Sequence, residues 1–347
     1  MSPVRRIPLV SATNRVLLVL FAGLVLLFGT VIGTPLFRLG TLRAMALQVP
    51  QLGLLSLAMM IALLSGGLDL SIIAVADFSA LVSAFLLTNI PADPGGLGIL
   101  LQVLCLLAGL LVAATIGAIN GVIIAYLDVS PILTTLGTMT MIKGLSVGLT
   151  HGGVISGFPP LVLFLGNANL LGVPVPLVIL LLVAWPVAVM LNRSPFGNLI
   201  AMIGSNIAAV RYSGVDTRWV LIRIYVLSGL LAGLAGIIMM ARFNSANAAY
   251  GESFLLVTVL AAVLGGVDPS GGFGKVSGLL IALAILQLIS TGFNLLGLSE
   301  FLTLTIWGVT LVSIAGLGVL RQRLPSRRRA ISPGQTSSGP ISPRAER

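Results

Sequence analysis

The sequence predicts an all-α polytopic membrane protein with about ten transmembrane helices and cytoplasmic N- and C-termini. Hydrophobic residues make up 57% of the 347 residues, and charged residues only 8%. Soluble domains carry roughly 25% charged residues. The apolar runs are also about 20 residues long, enough for a helix to cross a bilayer. Outer-membrane barrels show alternating segments of roughly 10 residues instead.

Ten apolar runs supply the predicted spans. The first follows three arginines and lacks a small-x-small cleavage site, so we interpret it as an uncleaved span rather than a signal peptide. The fourth is the longest, and we expect it to be tilted or broken near Gly117. The eighth is short. The spans are 16–33, 46–64, 70–89, 97–125, 132–150, 173–192, 219–240, 253–267, 276–297 and 300–320.

The distribution of basic residues sets the predicted orientation. An even number of spans places both termini on one side, and fifteen Lys and Arg residues fall on that side. Three fall on the other side, at Arg38, Arg43 and Arg242. The positive-inside rule therefore predicts a cytoplasmic N-terminus over 1–15, a transmembrane domain over 16–320 and a cytoplasmic loop at 193–218.

Residues 321–347 are rich in Arg, Pro, Ser and Gly, and we expect a disordered basic cytoplasmic tail. Three consecutive arginines, 327–329, could bind anionic membrane lipid, although an orienting role is the simpler interpretation. The net charge of +10 comes from span ends and this tail. It does not indicate a nucleic-acid partner.

The chain lacks the signatures of soluble enzymes. One His and one Cys exclude a classical zinc cluster. Lys275 follows a glycine, but Val276 lacks the hydroxyl that a nucleotide-binding P-loop needs. Gly144 to Gly148 matches the nucleophile-elbow pattern by letter, yet it lies in an apolar helix. We therefore expect no catalytic residue, no metal and no cofactor on this chain.

Polar residues inside the predicted spans are candidates for a solute pathway, because such groups are costly in hydrocarbon. Neutral amides and hydroxyls dominate, which suits a neutral, hydroxyl-rich solute. Hydrogen bonding between helices explains any single one equally well, and Asp77 could pair with Lys143. The candidates are Gln48, Gln51, Asp77, Asn120, Thr134, Thr135, Lys143, Gln287 and Asn294.

Two glycine patterns predict close helix packing, Gly117 with Gly121 and Gly229 with Gly233. A weak internal similarity also links residues 65–69, Ser-Gly-Gly-Leu-Asp, with 264–268, Leu-Gly-Gly-Val-Asp. Transporters are often built from repeats, although a match this short is poor support by itself.

The cytoplasmic loop has a helical pattern of its own. Apolar residues recur at Leu199, Ile203, Ile207 and Val210, which predicts one apolar stripe. Gly214 stands where a helix would end in a left-handed residue. We expect one short helix, or two that are broken at residues 204–206. It either rests among lipid headgroups or docks into a groove of a partner.

Five stretches together resemble the permease subunits of ATP-binding-cassette sugar importers of the ribose and autoinducer-2 type. They follow one another in family order across roughly residues 45–320. They are Ser-Gly-Gly-Leu-Asp-Leu-Ser at 65–71, Gly-Ala-Ile-Asn-Gly at 117–121, Pro-Ile-Leu-Thr-Thr-Leu-Gly-Thr at 131–138, the loop from 204 to 214, and Leu-Gly-Gly-Val-Asp-Pro-Ser-Gly-Gly-Phe-Gly at 264–274.

The resemblance implies a bacterial inner-membrane importer. Two permease chains, as a homodimer or heterodimer, would form the pore. An ATP-binding-cassette ATPase would dock on each cytoplasmic loop, and a periplasmic solute-binding protein would deliver a monosaccharide or polyol. By family motif, the ATPase-coupling positions are Gly204, Asn206, Ala208, Ala209 and Gly214. Motif positions near the substrate pathway are Asp69, Ser71, Asn120, Thr134, Thr135 and Gly137.

The sequence departs from the family where acidic residues often precede the Ala-Ala pair, since Asn206 and Ile207 are uncharged. Asp77 also falls where the family tends to have small or apolar residues. A permease for branched-chain amino acids or nucleosides remains an alternative. So do a stand-alone proton-coupled carrier that uses Asp77 and Lys143, and a scaffold that transports nothing.

Overall fold

The computed structural model describes residues 12–90 and 95–323, and helices dominate them. The α-helices are α1 Ala12–Ile32, α2 Leu39–Leu64, α3 Ile72–Thr88, α4 Gly96–Tyr126, α5 Pro131–Thr150, α6 Pro160–Asn167, α7 Val175–Arg193, α8 Pro195–Tyr212, α9 Thr217–Phe243, α10 Leu255–Leu264, α11 Val276–Leu295 and α12 Glu300–Arg323. Short 3-10 turns span Thr34–Phe37 and Glu252–Phe254.

Seven of the described helices are long and apolar enough to cross a membrane: α1, α2, α4, α5, α7, α9 and α11. The chain is therefore a polytopic membrane protein. Each of the three other predicted spans coincides with a shorter apolar helix, within α3, around α10 and within α12. Residues 1–11 and 324–347, with most of the predicted tail, lie outside the described residues.

The connections contain small elements that the sequence did not indicate. Helix α6 and three two-residue strands lie between α5 and α7, and a fourth such strand follows α9. Strand β1, Ile155–Ser156, pairs antiparallel with β4, Ser245–Ala246. Strand β2, Asn169–Leu170, pairs antiparallel with β3, Val173–Pro174, where the sixth span was predicted to begin.

Helix α4 is continuous over 31 residues, so the expected break near Gly117 is wrong. That glycine instead allows α9 to approach, because a Cβ there would overlap the carbonyl oxygen of Tyr225. A Cβ on Gly121 would lie 2.7 Å from Ile222 Cα, and one on Gly233 would lie 2.6 Å from the Ala113 methyl group. The glycine patterns therefore do pack helix on helix, as predicted.

The centre of the molecule is formed by α2 and α9. From Pro50 to Leu64 every residue of α2 is buried. This half of α2 and helix α9 pack against each other, and α3, α4, α7, α10 and α11 surround them. By contrast, α1 packs along α11 and exposes most of its apolar surface, as expected for a helix in contact with lipid.

The two similar sequence stretches form similar loops, the first Gly-Gly loop (residues 65–71, after α2) and the second Gly-Gly loop (residues 265–275, after α10). Gly66 and Gly266 adopt left-handed φ angles of 80° and 86°. In each loop the next N–H returns to the carbonyl five residues earlier, at 3.1 and 3.0 Å. Asp69 and Asp268 then each accept a hydrogen bond from the N–H two residues later. The sequence match, however, pairs Gly66 with Gly265, so the left-handed glycines are one position out of register with it. The similarity is therefore that of two common helix ends and does not establish an internal repeat.

Candidate functional site

Helix α8 consists of two helical halves joined at Asn206, whose φ of −166° and ψ of 95° are not helical. The Asn206 side-chain oxygen accepts a hydrogen bond from the Ala209 N–H at 3.0 Å, so this residue caps the second half. After α8, Gly214 adopts a φ of 84°. The predicted break at residues 204–206 and the left-handed Gly214 are both confirmed.

The predicted apolar stripe of α8 faces the helical core. Ile203 and Val210 are buried, and Leu199 and Ile207 are partly buried against the same core. Ile200, which the predicted stripe did not include, is fully buried beside them. Ala208 and Ala209 are exposed. The surface of α8 therefore carries two small side chains at this point.

Three glycines hold α8 against both Gly-Gly loops, and we call Gly66, Gly204 and Gly271 the glycine junction. A Cβ on Gly271 would lie 2.8 Å from Gly66 Cα and 2.9 Å from Gly204 Cα. A Cβ on Gly204 would overlap the carbonyl oxygen of Leu64, the acceptor of the Gly272 N–H at 2.9 Å. Because backbone touches backbone here, α8 cannot shift without moving both loops.

A second attachment joins α8 to the turn between α4 and α5. Arg211 lies 3.6 Å from the Asp128 carboxylate, and its Nε donates to the Thr217 hydroxyl at 3.2 Å. Between this ion pair and the glycine junction lies a cavity of about 520 Å³. The Tyr225 hydroxyl borders it, and this buried group has no hydrogen-bond partner within the described residues.

Three of the six predicted pathway residues belong to one buried hydrogen-bond network. Asp69 accepts from the Ser71 hydroxyl at 2.6 Å and from the Ser228 hydroxyl at 2.7 Å. Asn120 donates to the Ser71 hydroxyl at 2.9 Å and accepts from the Thr138 hydroxyl at 2.6 Å. The network thus joins the first Gly-Gly loop to α4, α5 and α9. These polar side chains therefore form hydrogen bonds between helices, the alternative to a solute pathway.

The three other predicted pathway residues lie on α5. Thr135 accepts from the Leu70 N–H at 3.1 Å and so also holds the first loop. Thr134 is buried, and its hydroxyl has no partner within residues 12–90 and 95–323. Gly137 lies on the exposed face of α5. Sequence reasoning missed Thr138 and Ser228, single small hydroxyls that look unremarkable in apolar helices.

Asp77 and Lys143 do not form the ion pair that the sequence suggested. Lys143 pairs with Glu252 at 2.6 Å, and both side chains are about half exposed. Asp77 is buried and accepts hydrogen bonds from the Gly251 N–H at 3.1 Å. The correction follows from the 244–254 connection, which folds back and places Gly251 and Glu252 between the two groups.

The remaining polar candidates lie at the other end of α9. Gln48, Gln51, Gln287 and Asn294 surround a cavity of about 350 Å³. Five more side chains with polar atoms line it and were not among the sequence candidates: Arg242, Ser253, Ser290, Thr303 and Trp307. Helix α12 supplies Trp307, and an isolated aromatic residue in an apolar run gives no signal of its position.

Comparisons with known proteins agree on one family. The family model described as "Branched-chain amino acid transport system / permease component" matches residues 41–315. The ribose import permease protein of Bacillus subtilis is 37% identical over 281 residues, 80% of this chain and 83% of that protein. The L-arabinose transport system permease protein of Escherichia coli is 31% identical over 272 residues, 78% of this chain and 80% of that protein.

A third relative belongs to a different import system. The autoinducer 2 import system permease protein of Yersinia enterocolitica is 30% identical over 270 residues, 76% of this chain and 78% of that protein. No solved structure matches the chain.

Proposed function

The chain belongs to the family of branched-chain amino acid transport system permease components, and we propose that it is the permease of an ATP-binding-cassette importer for a monosaccharide, polyol or similar small polar solute. The relatives that import ribose, arabinose and autoinducer 2 support this solute class. The chain is a multi-pass protein of the inner membrane. We propose ten spans with both termini in the cytoplasm, in line with the positive-inside rule.

The glycine junction is the observation that carries the mechanism. On the proposed orientation, α8 and both Gly-Gly loops lie at the cytoplasmic face. A separate ATPase subunit would bind α8 at the exposed residues Ala208 and Ala209 of this helix. When ATP closes the ATPase pair, the pull on α8 would pass by backbone contact to α2, α3, α10 and α11. Such a pull favours rigid-body rocking between outward- and inward-facing states.

The exposed surface of α5 supports the proposal that a second permease chain packs against this one. This helix is mostly exposed, yet its mean hydropathy of 1.3 is the lowest of the seven long apolar helices. The exposed helices α4 and α7 reach 2.6 and 2.4, as lipid contact requires. On α5 the exposed face includes Lys143 and three glycines with no neighbour near a Cβ, Gly137, Gly144 and Gly148. A facing chain and an aqueous pore suit this face better than lipid does.

Delivery of the solute would fall to a periplasmic binding protein on the opposite face, formed by the connections around α6 and the 244–254 segment. ATP hydrolysis would take place on the ATPase subunit. The chain would contribute the gated path and no catalytic group or cofactor.

Reconstitution tests the proposal. The chain is placed in proteoliposomes with its genomic ATPase and binding-protein neighbours, and uptake of radiolabelled D-ribose, L-arabinose and L-leucine is measured. We expect ATP-dependent uptake of a sugar that stops with a catalytically inactive ATPase. Full uptake with the inactive ATPase would refute an ATP-driven importer, and uptake of L-leucine alone would assign the chain to amino acid import.

A further inference from the structure

A polar cavity lies between α2, α9, α11 and α12, at the end of α9 that is remote from α8. Arg242 is in the last turn of α9, whereas α8 ends five residues before the first turn. A helix of 27 residues is about 40 Å long, so nearly the thickness of a bilayer separates this cavity from the glycine junction. On the proposed orientation the cavity opens toward the outer face.

Amide side chains from two helices meet across this cavity. The Gln287 Nε2 donates to Gln48 Oε1 at 2.8 Å, which joins α11 to α2. The Arg242 Nη1 donates to Gln51 Oε1 at 3.2 Å, which joins α9 to α2. Gln51 and Gln287 are only 5% and 6% exposed although they border the cavity. The Gln287 Nε2 also donates to the Thr291 hydroxyl at 3.1 Å, so Gln287 keeps only its side-chain oxygen as an acceptor. Gln48 and Gln51 keep their amide N–H donors for a ligand.

An aromatic side chain completes the lining. Trp307 borders the cavity from α12, and its buried indole N–H has no hydrogen-bond partner within the described residues. The indole nitrogen is itself buried, so the side chain presents its ring to the cavity rather than its N–H. Tryptophan also offers a flat apolar ring beside its polar edge, a surface that suits the mixed faces of a sugar ring.

The charges of the lining restrict the ligand further. The described lining residues include no carboxylate, so nothing there would balance a cationic solute. Their one cation, Arg242, donates to the neutral Gln51 and keeps its charge, so the charges of the lining disfavour a cationic solute, and the neutral class follows from the amides and from the sugar-importing relatives. The volume of about 350 Å³ is at the small end of the range for small-molecule pockets. A monosaccharide is the expected size.

We propose that this cavity binds the transported solute within the membrane, and that the solute is a neutral, hydroxyl-rich molecule of monosaccharide size. Gln48, Gln51 and Gln287 would exchange hydrogen bonds with its hydroxyl groups, and the Trp307 ring would cover one face of the sugar ring. The inference rests on the proposed importer function and locates its solute site away from the Asp69 network, where the family motifs had placed it.

Tryptophan fluorescence offers a direct test, because Trp307 is one of only three tryptophans. Trp185 and Trp219, which are 73% and 56% exposed, are replaced by Phe. Trp307 is then the only tryptophan of this chain and reports on the cavity. The permease–ATPase complex in nanodiscs, without binding protein, is titrated with D-ribose, L-arabinose and L-leucine. We expect a saturable fluorescence change with at least one sugar and none with L-leucine.

Matched substitutions connect this signal to the cavity. Gln287→Leu removes an amide that borders it, and we expect the dissociation constant to rise about tenfold or more, the effect of one or two lost hydrogen bonds. Gln102→Leu makes the same change at a buried amide on α4, outside the cavity. It should leave the dissociation constant unchanged.

The outcomes separate this inference from the importer function. No saturable sugar signal, an equal signal with L-leucine, or unchanged affinity in Gln287→Leu would each overturn the cavity assignment. ATP-dependent sugar uptake could then still stand. Conversely, sugar binding that Gln287→Leu weakens supports the cavity even if uptake proves independent of ATP, a result that would overturn only the ATP-driven mechanism.

Discussion

At the scale of single residues, glycines mark where segments of backbone touch. Gly204 was assigned from a family motif alone, without a physical reason for a glycine there. The structure supplies that reason, since Leu64 and Gly272 leave no room for a side chain. Gly117 was predicted both to pack against a facing helix and to break its own helix, and only the packing is confirmed, because the two roles look alike until the facing helix is known.

Gly204→Ala tests the glycine junction. The added methyl group must displace α8 or the Leu64 carbonyl, and overpacking of this kind costs about 1–3 kcal/mol. We expect a protein that still inserts but has a lower melting temperature and little ATP-dependent uptake. Gly23→Ala in α1, where a Cβ meets open space, is the control and should change neither. Normal uptake by Gly204→Ala would show that the junction transmits no force.

Asn120→Ala tests the buried network around Asp69. The substitution removes the acceptor of the Thr138 hydroxyl and one of the two hydrogen bonds of the Ser71 hydroxyl, and an unsatisfied buried group costs about 1–3 kcal/mol. We expect a lower melting temperature in detergent with an unaltered KM for uptake, because the network holds helices. Thr115→Ala, which removes an exposed hydroxyl bonded within α4, should be neutral. A raised KM without loss of stability would instead place Asn120 on the solute path.

At the scale of elements, hydropathy predicted the existence and order of the long helices. Their boundaries shifted by several residues, as at α2, which begins at Leu39 rather than residue 46. Helix α6 and the two-residue strands were missed because such short elements depend on contacts with distant segments. The break in α8 was predictable, since a Gly-Ser-Asn sequence favours local capping over a continuous helix.

Ala208→Glu tests whether α8 docks an ATPase. Ala208 is exposed and makes no contribution to the core, so the fold should tolerate the change. A bulky charge on the docking face should abolish co-purification of the ATPase while membrane insertion persists. Ala208→Ser is the control and should retain the ATPase. Equal recovery of the ATPase with Ala208→Glu would contradict the docking role of this surface.

At the scale of the whole molecule, the exposed face of α5 could not be found from the sequence, because periodicity does not tell lipid-facing from partner-facing surface. The face is distinctive because α5 is mostly exposed and yet has the lowest mean hydropathy of the seven long apolar helices. The cavity near Arg242 was likewise hidden, since its lining comes from helices far apart in sequence. The polar candidates stay predictions for the solute pathway, and only the fold shows which of them share a buried network and which line a cavity.

Gly144→Leu tests the proposed second chain at the α5 face. The glycine meets open space within the chain, so the fold should accept leucine. Against a closely packed partner the larger side chain should break the pair, and crosslinking in membranes should show mostly single permease chains. Gly23→Leu on exposed α1 should leave pairing intact. Undiminished crosslinking of Gly144→Leu would place the partner elsewhere.

The proposed mechanism requires α8 to lie in the cytoplasm, where a separate ATPase subunit can move it. Cys105 is buried and is the only cysteine, so a Cys105→Ala background permits single-cysteine labelling. Ala209→Cys on α8 and Leu170→Cys at the end of β2 are treated with a membrane-impermeant maleimide in intact cells. The account predicts labelling of position 170 from outside and of position 209 only after the membrane is opened. Labelling of position 209 in intact cells would contradict it.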